Sequence, residues 1–265
     1  MGQDGDVWSA GDAYERYIGR WSRLIAEAFV PWLGVPPGRR WLDVGCGTGV
    51  LTAVVVAMAD PLQVVGVDPS EAFLDRAREQ VEDERAVFRH GDAQALPLAD
   101  GSVDAVVSGL ALNFVPDPER AVAEFARVVN PGGAVAAYVW DYAGGMAMLR
   151  HFWDAAADLA PEAARLDEGH RFPICLPEPL TRLWTDAGLT KVTVQAIEVP
   201  SVFPDFDHYW QPFLGGQGPA PGYVASLSEE RRRALREHLR ERLPSAPDGS
   251  LTLPAAAWAI KGTPV

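Results

Sequence analysis

Apolar residues recur every three or four positions at Tyr14, Tyr17, Ile18, Trp21, Leu24, Ile25, Ala28 and Phe29, a stripe that predicts an amphipathic helix ending near Pro31. Beyond it the period changes. Short apolar runs at Trp41–Val44, Gln63–Val67, Ala86–Arg89, Val103–Ser108 and Ala134–Trp140 are separated by helical patterns over Leu51–Ala59, Glu71–Val81 and Pro118–Val129. A helix over Glu178–Ala187 then leads through Gly188 to an alternating strand, Lys191–Val199, and a last strand covers Ser250–Lys261. Strands alternating with helices predict an α/β fold with right-handed crossovers: a Rossmann-like, seven-stranded, mostly parallel sheet flanked by helices. Two segments break the alternation, about 141–177 and about 200–249, both rich in Pro, Gly and aromatic residues. They are expected as lid insertions. The organisation expected is a helical lead-in over residues 1–38 and one domain over 39–265 that carries both lids.

Composition narrows the partners. With 265 residues, 48% of them hydrophobic, the chain can fill a sizeable core. A formal net charge of -13 argues against nucleic acid or an anionic membrane surface, since binders of polyanions present a basic face. The run Glu229–Leu243 carries six arginines, but four glutamates offset them, as on a solvated helix face. The start, MGQDGDVWSA, lacks the basic and apolar parts of a secretion signal, and the longest mostly apolar run, Val50–Ala59, is too short to span a bilayer. A cytoplasmic protein is expected. The two cysteines, Cys46 and Cys175, have no spacing that suggests a metal site or a disulfide, so no metal is expected.

The chemistry concentrates in WLDVGCGTGV, Trp41–Val50, where an apolar run enters a glycine turn and a helical pattern leaves it. Its glycines are Gly45, Gly47 and Gly49, whereas the dinucleotide fingerprint would place a glycine where this chain has Val50. Asp43 sits at the end of the first strand, Asp68 at the end of the second and Asp92 after the third. A carboxylate at position 68 suits the two hydroxyls of a ribose; Asp92 and the N–H of Ala93 suit an adenine. Helix capping at Asp68 and turn formation at Asp92 are the alternatives for those residues. Three acidic strand ends would repel a pyrophosphate, so they favour a ligand with ribose and adenine, no phosphate and a positive charge.

The motifs WLDVGCGTG, VVGVDPS, GDAQALPLADGSVDAVVS and RVVNPGGAVAAYVW, between Arg39 and Asp141, resemble in order and spacing those of class I SAM-dependent methyltransferases. That resemblance implies S-adenosyl-L-methionine as cofactor, held by Asp43, Gly45, Cys46, Gly47, Gly49, Asp68, Pro69, Asp92, Ala93 and Ser108. The stretch YERYIGRWSR is similar to the lead-in helix of small-molecule methyltransferases, including the quinone-methylating type, which implies that Tyr14, Tyr17 and Trp21 cover the cofactor. A core stripe is the other reading of those three. The implied reaction moves a methyl group to an O, N or C atom of a small, largely apolar or aromatic metabolite. A silent SAM-binding module and an NAD-dependent oxidoreductase are the alternatives, the latter disfavoured by Val50.

Many relatives carry a histidine near Asn113, and Asn cannot act as a base. His151 and His208, each among aromatic residues in one lid, are the candidates for proton transfer. Trp140, Trp153, Tyr209 and Trp210, with Asn113, are the candidate acceptor contacts. A monomer or homodimer is expected.

Overall fold

The computed structural model describes residues 19–216 and 218–265. Tyr14 and Tyr17 lie outside the described residues. Strands β1 Arg40–Val44, β2 Gln63–Asp68, β3 Ala86–His90, β4 Val103–Gly109, β5 Val129–Trp140, β6 Thr190–Phe203 and β7 Leu251–Thr263 form one sheet, ordered β3-β2-β1-β4-β5-β7-β6. The first five pair in parallel, and β7 runs antiparallel to β5, with Val135 opposite Gly262 and Trp140 opposite Ala257. Every residue of β2 after Gln63 is buried, as expected for a parallel strand covered on both faces. β1 lies between β2 and β4, where the strand order reverses. In open parallel sheets the ligand crevice lies at the carboxyl ends of the strands flanking such a reversal.

The helices are α1 Ser22–Leu33, α2 Val50–Met58, α3 Glu71–Gln80, α4 Pro118–Val128, α5 Ala147–Leu159, α6 Glu168–Arg171, α7 Pro177–Asp186, α8 Phe206–Trp210, α9 Pro219–Ser226 and α10 Glu229–Arg242. Short polar residues start several of them. The Ser70 hydroxyl accepts from the Phe73 N–H at 3.4 Å at the head of α3, and Asp117 accepts from the Arg120 N–H at 3.0 Å with Pro118 opening α4.

Two local expectations change. α1 continues through Pro31 to Leu33, and the Gly34 N–H closes on the Pro31 carbonyl at 3.2 Å. A proline in the last turn forfeits a single helical hydrogen bond, a smaller loss than one in mid-helix. β5 begins at Val129, before Pro131-Gly132-Gly133, because that turn is absorbed as a bulge: Val103 faces Val129, but Ala105 faces Ala134. Gly132, at φ +78°, makes the bulge possible.

The chain divides into two compact units. One comprises Ser22–Trp140, Ile174–Ile197 and Ala257–Val265 and contains the parallel strands; the other includes Trp21, Asp141–Pro173 and Glu198–Ala256 and is largely helical. The two segments expected as lids supply most of the helical unit. In the sheet unit Phe29 packs on Tyr138 at 4.7 Å between ring centroids, and Lys261 donates to the Trp32 carbonyl at 2.7 Å, tying β7 to α1. In the helical unit Phe152 stacks on Phe213 at 4.4 Å, and Tyr209 packs on Phe203 and Phe213.

Candidate cofactor site

After Val44 the chain turns through Gly45-Cys46-Gly47-Thr48-Gly49 into α2. The N–H groups of Gly45 and Cys46 donate to the Val67 carbonyl at 2.7 and 3.1 Å, which hangs the turn on the tip of β2. Gly45, Gly47 and Gly49 have φ of +70°, +52° and +89°, a region side chains disfavour. Their surroundings differ. A Cβ on Gly45 would lie 2.5 Å from the Ala111 Cβ, and one on Gly49 would lie 3.0 Å from Val81 and 3.2 Å from Ala77 of α3. A Cβ on Gly47 would meet nothing within 4 Å. The outer glycines therefore serve packing, and the middle one faces open space.

Asp43 is fully buried at the end of β1. Its Oδ2 accepts from the Thr52 hydroxyl at 2.7 Å, while its Oδ1 has no hydrogen-bond partner among the described residues. Burial pushes its carboxyl up to about 7; the Thr52 bond opposes the shift and the charge of Asp68 adds to it. Asp68, also buried, accepts from the Gly47 N–H at 3.0 Å through Oδ2 and from the Ser70 N–H at 2.9 Å through Oδ1. It thus clamps the glycine turn. The cap of α3 is Ser70, so Asp68 is not needed for that role. Burial raises the Asp68 carboxyl as well, against the pull of these two N–H bonds.

Asp92 is exposed, and its carboxylate accepts from the backbone and side chain of Gln94 at 2.9 to 3.2 Å; these bonds hold it below the usual carboxylate range. Ala93 is half-buried beside it, Pro69 is exposed and Ser108 is buried in β4. Cys46 packs with Leu74, Ala77, Val81 and Phe88, and burial pushes its thiol well up. That cluster anchors the turn to α3. Asn113, half-buried in the turn Leu112–Phe114 after β4, has a side-chain N–H group with no partner among the described residues.

Two residues of this region were not singled out from the sequence. Thr52, the hydroxyl that holds Asp43, is the one polar side chain of α2, and that was its signal. Leu110 has φ +59° directly after β4, fixed by its N–H bond to the Tyr138 carbonyl at 2.8 Å. Nothing in its residue type announces that conformation.

The remaining candidates lie in β5 and in the helical unit. Trp140 is buried at the end of β5. In the helical unit, Trp21 meets Phe203 edge-on at 6.0 Å, Trp210 packs on Phe213, the Tyr209 hydroxyl donates to the Met148 carbonyl at 2.9 Å, and the Trp153 indole donates to Glu168 at 2.5 Å. All four rings are at most 5% exposed, so each is enclosed by protein. His208 is exposed and bonded to Asp205 at 2.8 Å, whereas His151 is half-buried and burial lowers its pKa. No helix among the described residues is long and apolar enough to cross a membrane.

Residues 42–137 match a methyltransferase domain family. An uncharacterized methyltransferase of Mycobacterium tuberculosis is 40% identical over 173 residues, 65% of each chain. An uncharacterized 37.1 kDa protein in a transposon of Streptomyces fradiae is 32% identical over 225 residues, 79% of this chain and 61% of that protein. The chain thus spans less than two thirds of the length of these relatives. Among solved structures, a Haemonchus contortus phosphoethanolamine N-methyltransferase in complex with S-adenosyl-L-methionine matches with a TM-score of 0.60 at 18% identity, covering 96% of this chain and 56% of that one. An identity that low speaks for the fold alone. The strand order and the glycine turn between acidic strand ends thus form the fold of class I SAM-dependent methyltransferases, and residues 42–137 of it are similar to a methyltransferase domain.

Proposed function

We propose that the protein binds S-adenosyl-L-methionine at the β1 and β2 strand ends and transfers its methyl group to a small, largely apolar or aromatic acceptor. The observation that carries the cofactor reading is the Oδ1 of Asp43, a fully buried acceptor with no donor among the described residues. A buried acceptor left unpaired is costly, so it favours a ligand that brings a donor, and a cationic one most. Gly47 leaves open space at the turn that follows β1. Asp68 uses one lone pair of Oδ2 for the Gly47 N–H and one of Oδ1 for the Ser70 N–H, which leaves another on each oxygen for ribose hydroxyls.

Bound S-adenosyl-L-methionine would supply a methyl group on a sulfonium, open to displacement by a nucleophile. The protein's own part is to hold the cofactor, orient the acceptor and exclude water, and positioning of this kind can supply roughly 7 to 11 kcal/mol of a barrier. For an acceptor that must lose a proton, His151 is a candidate base, half-buried and with its pKa lowered by burial. The acceptor class rests on the aromatic content of the segments about 141–177 and 200–249, and the net charge of -13 disfavours a nucleic-acid acceptor.

Calorimetry with S-adenosyl-L-methionine and, separately, NAD tests the cofactor: binding of the first and not the second is expected. Folded protein that ignores S-adenosyl-L-methionine would overturn the proposal. Incubation with labelled cofactor and mixed small molecules, followed by mass analysis for methyl-sized gains, tests the transfer.

A further inference from the structure

The helical unit contains a cavity of about 260 Å³ that none of the cofactor motifs reaches. Its walls are apolar: Ala156 and Leu159 of α5, Leu227, and Ala234 and Leu235 of α10. Three polar side chains also line it, Glu162, Tyr223 and Arg231. Tyr223 is half-buried, with its ring 5.8 Å from that of Trp153 and 6.3 Å from that of Phe152, so it is a fixed part of the wall. Glu162 and Arg231 are both exposed. Both charges act on the Tyr223 hydroxyl, in opposite senses. They do not pair with each other, and neither has an ion-pair partner among the described residues, although other arginines of α10 do: Arg236 and Arg240 pair with Asp207, and Arg242 with Asp158.

We propose that this cavity binds an apolar α-amino acid or a close zwitterionic relative: side chain between α5 and α10, carboxylate on Arg231, ammonium on Glu162. The chemistry follows from the lining. An anionic ligand with an apolar body would satisfy Arg231 and be repelled by Glu162, and a cationic one would meet the reverse; a molecule carrying both charges on an apolar body satisfies both groups. Size agrees. The cavity falls just below the range of about 300 to 1,000 Å³ usual for drug-sized ligands, which suits a molecule of about a dozen heavy atoms. This site is separate in its residues from the cofactor site, and its occupancy does not depend on the methyl-transfer reading.

The test is calorimetry on the full chain with three probes: L-phenylalanine, 3-phenylpropionate, which lacks the ammonium, and phenethylamine, which lacks the carboxylate. L-phenylalanine is expected to bind most tightly. Arg231→Gln should weaken L-phenylalanine and 3-phenylpropionate by about tenfold and leave phenethylamine unchanged, and Glu162→Gln should do the converse, about tenfold being typical of one charge-assisted hydrogen bond. Both positions are exposed, so these variants should fold. Ala234→Trp, at another exposed position, should fill the cavity and abolish binding of all three. The proposal is overturned if L-phenylalanine does not bind the folded parent, if Ala234→Trp leaves binding intact, or if either half-ligand binds as tightly as the zwitterion.

Discussion

At the scale of single residues, Asp43 and Asp68 do different work, although the sequence presents them as a matched pair of acidic strand ends. Asp43 titrates near 7 because burial penalises its charge, so a cationic ligand must draw the ionised form. S-adenosyl-L-methionine affinity is therefore expected to rise with pH between about 6 and 8 as the carboxyl ionises, and Asp43→Asn should weaken binding and flatten that rise. Calorimetry across the range checks both. Asp68 is a clamp as well as a contact. Asp68→Ala should cost about 1.5 to 3 kcal/mol of cofactor binding, and it should also lower the melting temperature, since the N–H groups of Gly47 and Ser70 lose their acceptor. A fall in affinity with unchanged melting would deny the clamp. The carboxylates were legible in the sequence because their places at strand ends follow from pattern alone. The Thr52 bond and the left-handed Leu110 were not, because each depends on how neighbouring elements approach one another.

At the scale of elements, the glycine turn separates binding from packing. Gly49→Ala would press a methyl group against Ala77 and Val81 and push α3 from the turn, so it is expected to lose more stability than Gly47→Ala, which meets only the strain of its backbone, about 1 to 2 kcal/mol. A larger side chain at position 47 should cost cofactor affinity instead, and comparing Gly47→Val with Gly49→Ala by melting and calorimetry separates the two effects. A second element-scale prediction concerns Glu168 of α6, buried against the Trp153 indole of α5, whose carboxyl burial pushes up to about 7 from an ordinary 4.5. Below 4.5 both folded and unfolded states hold the proton. As pH rises from there towards 7 the unfolded chain ionises first, so stability falls, and it levels off above 7. Glu168→Gln should remove that fall and melt higher than the parent at pH 8, by more than about 1 kcal/mol of stability. The helix and strand boundaries were largely legible, apart from α1 crossing Pro31 and the bulge that lets β5 start early. In both places local breakers were outvoted by packing of the element as a whole.

For the whole molecule, the sheet could be foreseen because βα alternation leaves few topologies, and the four motifs lie on consecutive strand ends. The helical unit was less legible. Its two segments are distant in sequence, and it is contacts such as the aromatic core of Phe152, Phe203, Tyr209 and Phe213 that show them folding together. The placement of Cys46 gives this architecture a built-in chemical clock. The thiol is buried among α3 and β3 side chains and burial holds it protonated, so an alkylating reagent can reach it only when that cluster opens. Both cysteines fall in the sheet unit and none in the helical one, so alkylation under native conditions times the breathing of the sheet unit alone. A cofactor that rests on the turn should slow the clock in proportion to its occupancy, giving a measure of binding that needs neither an acceptor nor turnover.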